Sequence, residues 1–115
     1  MSIQRAQRAA GEIKKELSRI IHTEMKDPRL GFLSLTDVEL SPDLRYAKVF
    51  VSIMGTEREQ TLTMEILERA MGFLRSELGS RIRLRYTPEL SFHLDNSIEQ
   101  GAKIEKLLRE LENDK

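Results

Sequence analysis

Cysteine and tryptophan are absent from the 115-residue chain, and histidine occurs only twice. Without cysteine there is no disulfide framework, no cysteinyl zinc site and no thiol nucleophile. His22 and His93 stand alone, with no second histidine at a ligand spacing, so no metal site is expected. Aromatic residues make up 5% of the chain, too few for the platform on which single-strand binders commonly stack successive bases. No apolar run approaches the ~18 residues of a membrane span. No glycine-rich loop of the phosphate-cradling or dinucleotide type is present either. Asp95, Asn96 and Ser97 bring acid, amide and hydroxyl together, but adjacent residues do not make a triad, and helix capping explains them better. No catalytic residue, cofactor, metal or small-molecule substrate is therefore expected, and no membrane partner.

Net charge is lacking too, with 19 basic residues against 19 acidic ones. The distribution is less even than the sum. Met1 to Leu30 carries seven basic residues and four acids, and Arg69 to Thr87 carries five arginines against Glu77 alone. Pro88 to Lys115 reverses the balance, with four basic residues and seven acids. A neutral protein built this way can gather its cations on one face. A composition of 39% hydrophobic and 33% charged residues suits an ordinary globular chain, read here as one domain spanning 1–115. The opening MSIQRAQRAAG is arginine-rich and acid-free, like an organelle transit peptide. Its apolar phase, however, runs on into Ile13, Leu17 and Ile20, which predicts a structural helix and a cytoplasmic protein.

Ile3, Ala6, Ala10, Ile13, Leu17 and Ile20 advance in steps of three and four, the spacing of an amphipathic helix. That helix should end near Lys26, because Pro28 disfavours helical geometry at Asp27. In FLSLTDVELS, Leu33 and Leu35 alternate in one phase and Val38 and Leu40 in the other, so the strand either contains a bulge or starts only near Thr36. Ser41-Pro42-Asp43-Leu44 reads as a turn. Ala47, Val49, Val51 and Ile53 then alternate cleanly, completing an antiparallel hairpin. Thr56 and Glu59 have capping-box spacing for a second helix, which carries LERAMGFLRSELG with Gly72 in its middle. Arg81 to Tyr86 shows period two, Pro88 interrupts it, and Leu90 to Leu94 is the third strand. The long helical crossover predicts that this strand lies parallel to the second. Ser97 and Gln100 could cap a last helix with Ile98, Ala102, Ile104, Leu108 and Leu111 as its apolar face. The expected fold is α+β, with helices on one face of a three-stranded mixed sheet.

This order matches a KH-like domain of type II topology, helix–strand–strand–kinked helix–strand, followed by a C-terminal helix. The KH signature glycine-x-x-glycine is missing, since Gly72 and Gly79 are wrongly spaced, and Ala70-Met71-Gly72 stands at the expected junction. With KDPRLGF, DLRYAKVFVS, AMGFLRSELGSRIRLRYTPELSF and DNSIEQGAKIEKLL in order, the chain resembles the ribosome-binding factor A family along nearly its whole length. The resemblance implies a non-enzymatic assembly factor that binds the free small ribosomal subunit. It would support processing of small-subunit ribosomal RNA near the 5′-terminal helix, and act as a monomer.

The arginine-rich segments supply the expected RNA contacts: Arg5, Arg8, Lys15 and Arg19 along the first helix, and Arg75, Arg81, Arg83 and Arg85 beyond the junction. Few aromatics and many cations favour recognition of the RNA backbone and shape over base readout. Ala70 and Gly72 form the expected helix kink, with Gly72 at positive φ or closely approached by a neighbour. Two other readings stand beside this one: a protein-interaction module docking on ribosomal proteins, with solvated arginines, and a general RNA-binding domain.

Overall fold

The computed structural model describes residues 2–25, 27 and 29–95; the expected C-terminal helix lies outside them. Helix α1 (Ser2–Glu24) is followed by strands β1 (Leu33–Leu40) and β2 (Tyr46–Ile53), helices α2 (Glu57–Arg69) and α3 (Met71–Arg81), and strand β3 (Glu89–Leu94). The sheet order is β1-β2-β3, with β2 antiparallel to β1 and parallel to β3. This is the mixed α+β arrangement that the alternation of patterns predicts.

The phase slip in β1 is a bulge. Leu35 pairs with Val51 and Asp37 with Phe50, so Thr36 is the extra residue. The strand starts at Leu33, and the bulge lets Leu33, Leu35 and Val38 all become buried despite their mixed parity. The Thr36 hydroxyl donates to the Asp95 carboxylate at 2.7 Å, tying the bulge to the end of β3. In the turn between β1 and β2, Leu44 has φ 63, and Ser41 is bonded to both sides: its N–H donates to Tyr46 O and its carbonyl accepts from Leu44 N–H, each at 2.8 Å.

Among the described residues, one face of the sheet is covered and the other is open. Ala47, Val49 and Val51 of β2 are buried, with Leu90 and Phe92 of β3, against Ile13, Leu17 and Ile20 of α1 and Leu67, Leu74 and Leu78 of α2 and α3. Burying each such side chain is worth about 1.5–3 kcal/mol, so the α1 stripe read from the sequence anchors the helix. On the open face Phe50 and His93, paired across β2 and β3, have ring centroids 5.5 Å apart.

The capping box forms as its spacing requires. Thr56 Oγ1 accepts from Glu59 N–H at 3.2 Å, and Glu59 Oε1 accepts from Thr56 N–H at 3.4 Å. The helix then breaks, but at Ala70 (φ −86, ψ 5) rather than at Gly72. Gly72 lies within α3, lacks a positive φ, and nothing would meet a Cβ added there. The glycine of α3 under close approach is Gly79, where an added Cβ would lie 2.7 Å from Thr87 Oγ1.

The arginine-rich run also differs from its period-two reading. Helix α3 continues through Arg81, and residues 82–88 form an irregular loop. Arg81, Arg83 and Arg85 therefore do not form one like-facing row. Ile82 explains the change: its N–H bonds to Leu78 O at 3.0 Å and its side chain is buried, which carries the helix past the apparent strand start.

Candidate nucleic-acid interface

At the end of the molecule where α1 begins, three chain segments converge on Tyr86. Arg45 follows the left-handed Leu44; its N–H donates to Asp43 Oδ1 at 3.1 Å and its carbonyl accepts from Glu89 N–H at 2.8 Å. These bonds fix its backbone between the hairpin turn and β3. Arg85 and Tyr86 lie in the loop 82–88, which Arg75 fastens to α3 by donating to Pro88 O at 3.1 Å and Thr87 O at 3.0 Å. Arg5, on the first turns of α1, lines the same cleft.

The guanidinium carbons of Arg45 and Arg85 each lie 5.6 Å from the centroid of the Tyr86 ring, which is 55% exposed. Each such contact contributes about 0.5–1 kcal/mol at an exposed site, and it orients the guanidinium while leaving its N–H edges outward. Among the described residues, the side chains of Arg5, Arg45 and Arg85 have no hydrogen-bonded or ion-paired acceptor. Asp43 is the one carboxylate among the described residues of the cleft, so three arginines against one aspartate leave a formal charge of +2. The Ser41 hydroxyl and then the Arg45 N–H hold the Asp43 carboxyl below its ordinary range, so it stays ionised and turned toward the turn. Planar guanidiniums with free edges match phosphate oxygens.

The expected contact residues separate into distinct roles. Arg5 and Arg85 enter the cleft, while Arg8 and Lys15 are exposed on α1 and Arg83 is exposed in the loop. Arg19 pairs with Glu16 at 3.2 Å on the surface. Arg75 and Arg81 depart from the expectation of free cations. Arg75 is a loop clamp, and Arg81, its side chain 29% exposed, reaches Glu16, Glu24 and Glu77 at 3.7, 3.6 and 3.6 Å. Both hold the fold together, and neither is offered to a ligand. Arg45 and Tyr86 were missed from the sequence; the signal that carried them was their place in the DLRYAKVFVS and RIRLRYTPELSF runs.

Among the described residues no group of three or more histidine, aspartate or glutamate side chains could hold a metal ion. None of the helices described is long and apolar enough to cross a membrane.

Comparison with known proteins gives a consistent result. The family model for ribosome-binding factor A matches residues 5–108. Ribosome-binding factor A of Halothermothrix orenii is 52% identical over 114 residues, covering 99% of this chain and 93% of its own length. The crystal structure of ribosome-binding factor A from Thermus thermophilus superposes with a TM-score of 0.71 at 28% identity, covering 80% of this chain and 97% of that one. A homology model of the Thermus thermophilus protein, fitted into the cryo-EM map of its complex with the 30S subunit, superposes with a TM-score of 0.64 at 30% identity. It covers 76% of this chain and 91% of that one.

Proposed function

The chain belongs to the ribosome-binding factor A family, and on that premise we propose that it binds the free small ribosomal subunit and assists late maturation of its RNA. In this reading it acts by binding rather than by catalysis, and supports processing near the 5′-terminal helix of the small-subunit ribosomal RNA. The observation that carries the reading is the pair of guanidiniums held over Tyr86 with their N–H edges unoccupied. An RNA backbone supplies the acceptors they lack, and releases counterions as it does so.

Phosphate contacts position a protein without specifying sequence. Selection of an assembly stage must then come from a surface shape present on the free small subunit and covered when the large subunit joins. The test is a sucrose gradient at physiological salt, probed for this protein and for precursor RNA. The protein should sediment with free small subunits and be nearly absent from joined ribosomes and polysomes. Cells lacking it should accumulate small subunits carrying unprocessed RNA, more so in the cold, where misfolded RNA rearranges slowly. Equal occupancy of free subunits and translating ribosomes would overturn the maturation reading.

A further inference from the structure

At the opposite end of α1, two large apolar side chains stand side by side in solvent. Phe32 is 85% exposed and Met54 75% exposed, and Met54 N–H donates to Phe32 O at 2.9 Å. That bond extends the β1–β2 pairing by one rung beyond Leu33 and Ile53. Behind the pair runs a cleft floored by Met25 and Leu30. Met25 also lines a second cleft, beneath the α2–α3 break, which carries the exposed Phe73. The two clefts share Met25 and Asp27 in their linings, and exposed apolar side chains gathered at one pole mark an interaction site.

Charge separates this pole from the other. Among the described residues Glu24, Asp27 and Glu59 line the two clefts with Arg29 and Arg69, and Arg81 pairs with Glu24 at 3.6 Å, so this pole is formally neutral where the other carries +2. Arg29 and Asp27 neutralise each other, Arg29 donating to both Asp27 oxygens at 3.0 and 2.8 Å. The cleft beside Phe32 and Met54 itself holds Asp27 and Glu59 but, among the described residues, no lysine or arginine. A polyanion gains nothing there. An apolar segment with a basic residue beside it fits the exposed Phe32 and Met54 and the nearby Glu59, which among the described residues has no ion-paired cation.

We propose that this pole is a protein-docking surface, whose occupant is an apolar segment with a basic residue beside it on a protein of the small ribosomal subunit. The proposal rests on the small-subunit reading above and adds a second, non-RNA contact to it. Both side chains are exposed, so a Phe32→Ser, Met54→Ser double variant should keep the wild-type melting temperature. Its affinity should be measured against intact small subunits and against protein-free small-subunit RNA. The expected result is at least a tenfold loss on intact subunits with no change on the naked RNA. Equal loss on both would make the pole part of the RNA surface, and no loss on either would remove it as a docking site; each overturns the proposal. A Met54→Lys variant decides the same question on intact subunits alone: an added cation should weaken binding to a basic partner, whereas strengthening would mark an RNA contact and overturn the proposal. Wild-type protein that bound no subunits would overturn the small-subunit reading, and this proposal with it. Wild-type binding with unaffected variants would overturn this proposal alone.

Discussion

Arg75 holds the carbonyl of Thr87 at 3.0 Å and that of Pro88 at 3.1 Å, so one guanidinium on α3 fixes the loop that presents Tyr86. The fork geometry matters, because Nε and Nη2 serve two successive carbonyls at once. Arg75→Ala should destabilise the fold by roughly 1–3 kcal/mol, the cost of leaving partly buried acceptors without a charged donor. Arg75→Lys should recover only part of this, since a point charge cannot bridge both oxygens. Urea unfolding of the three proteins checks the order.

Arg45 and Arg85 should govern binding, and Arg81 should govern stability. Replacing Arg45 and Arg85 together with glutamine should weaken small-subunit binding and flatten its salt dependence by about 0.7–0.9 per lost phosphate contact in the log–log slope. Arg81→Gln should leave that slope unchanged while lowering the melting temperature, because it releases Glu16, Glu24 and Glu77. A salt titration of affinity beside a thermal melt separates the two.

The two glycines of α3 should respond in opposite directions to alanine. Gly72 has open space around its Cα, so Gly72→Ala should raise stability by roughly 0.5–1 kcal/mol through backbone entropy. At Gly79 the new Cβ would meet Thr87 Oγ1 at 2.7 Å, on the very residue whose carbonyl Arg75 holds. Gly79→Ala should therefore lower stability, and a Gly79→Ala, Thr87→Ala double variant should restore the helical gain. Chemical denaturation of the four proteins is the measurement.

Asp27 should titrate far below an ordinary carboxyl. The side-chain hydrogen bonds from Arg29, then its backbone N–H, lower the pKa from 3.8 to about 2. The folded form binds the proton less readily than the unfolded one, so the contribution is present above pH 3.8 and is lost as the pH falls toward 2. The pair is exposed, and salt should shrink the shift. A carbon-detected NMR titration of the Asp27 carboxyl, with and without added salt, reads both effects directly.

Local features were legible in the sequence where a short-range rule governs them. Thr56 and Glu59 form their capping box because both partners lie within one turn. The opposite phases of Leu35 and Val38 signalled either a bulge or a later strand start, because side chains alternate along a strand, and the bulge is what forms. The helix break was legible only as a region: small residues marked it, but Ala70 adopts φ −86 and ψ 5, which any L-residue can reach. Gly72 was the more conspicuous residue and the wrong one. The candidate site was half legible. Arg5 and Arg85 were expected, but their meeting with Arg45 and Tyr86 joins an α1 turn, a hairpin and a loop far apart in the chain, and no periodicity encodes that. Arg81 was misplaced because burial of Ile82 extends α3 against an apparent period of two.

Helix α1 also fixes a distance. Arg5 and Met25, which directly follows α1, are separated by about 30 Å along its axis at 1.5 Å per residue, and the helix runs unbroken from Ser2 to Glu24. If the small subunit engages both ends as proposed, the helix would work as a caliper: two weak contacts multiply into one strong one only where their targets lie at the matching span. A partner can then shed the protein without destroying either contact surface. It needs only to alter the gap between them, and the second contact ceases to be intramolecular.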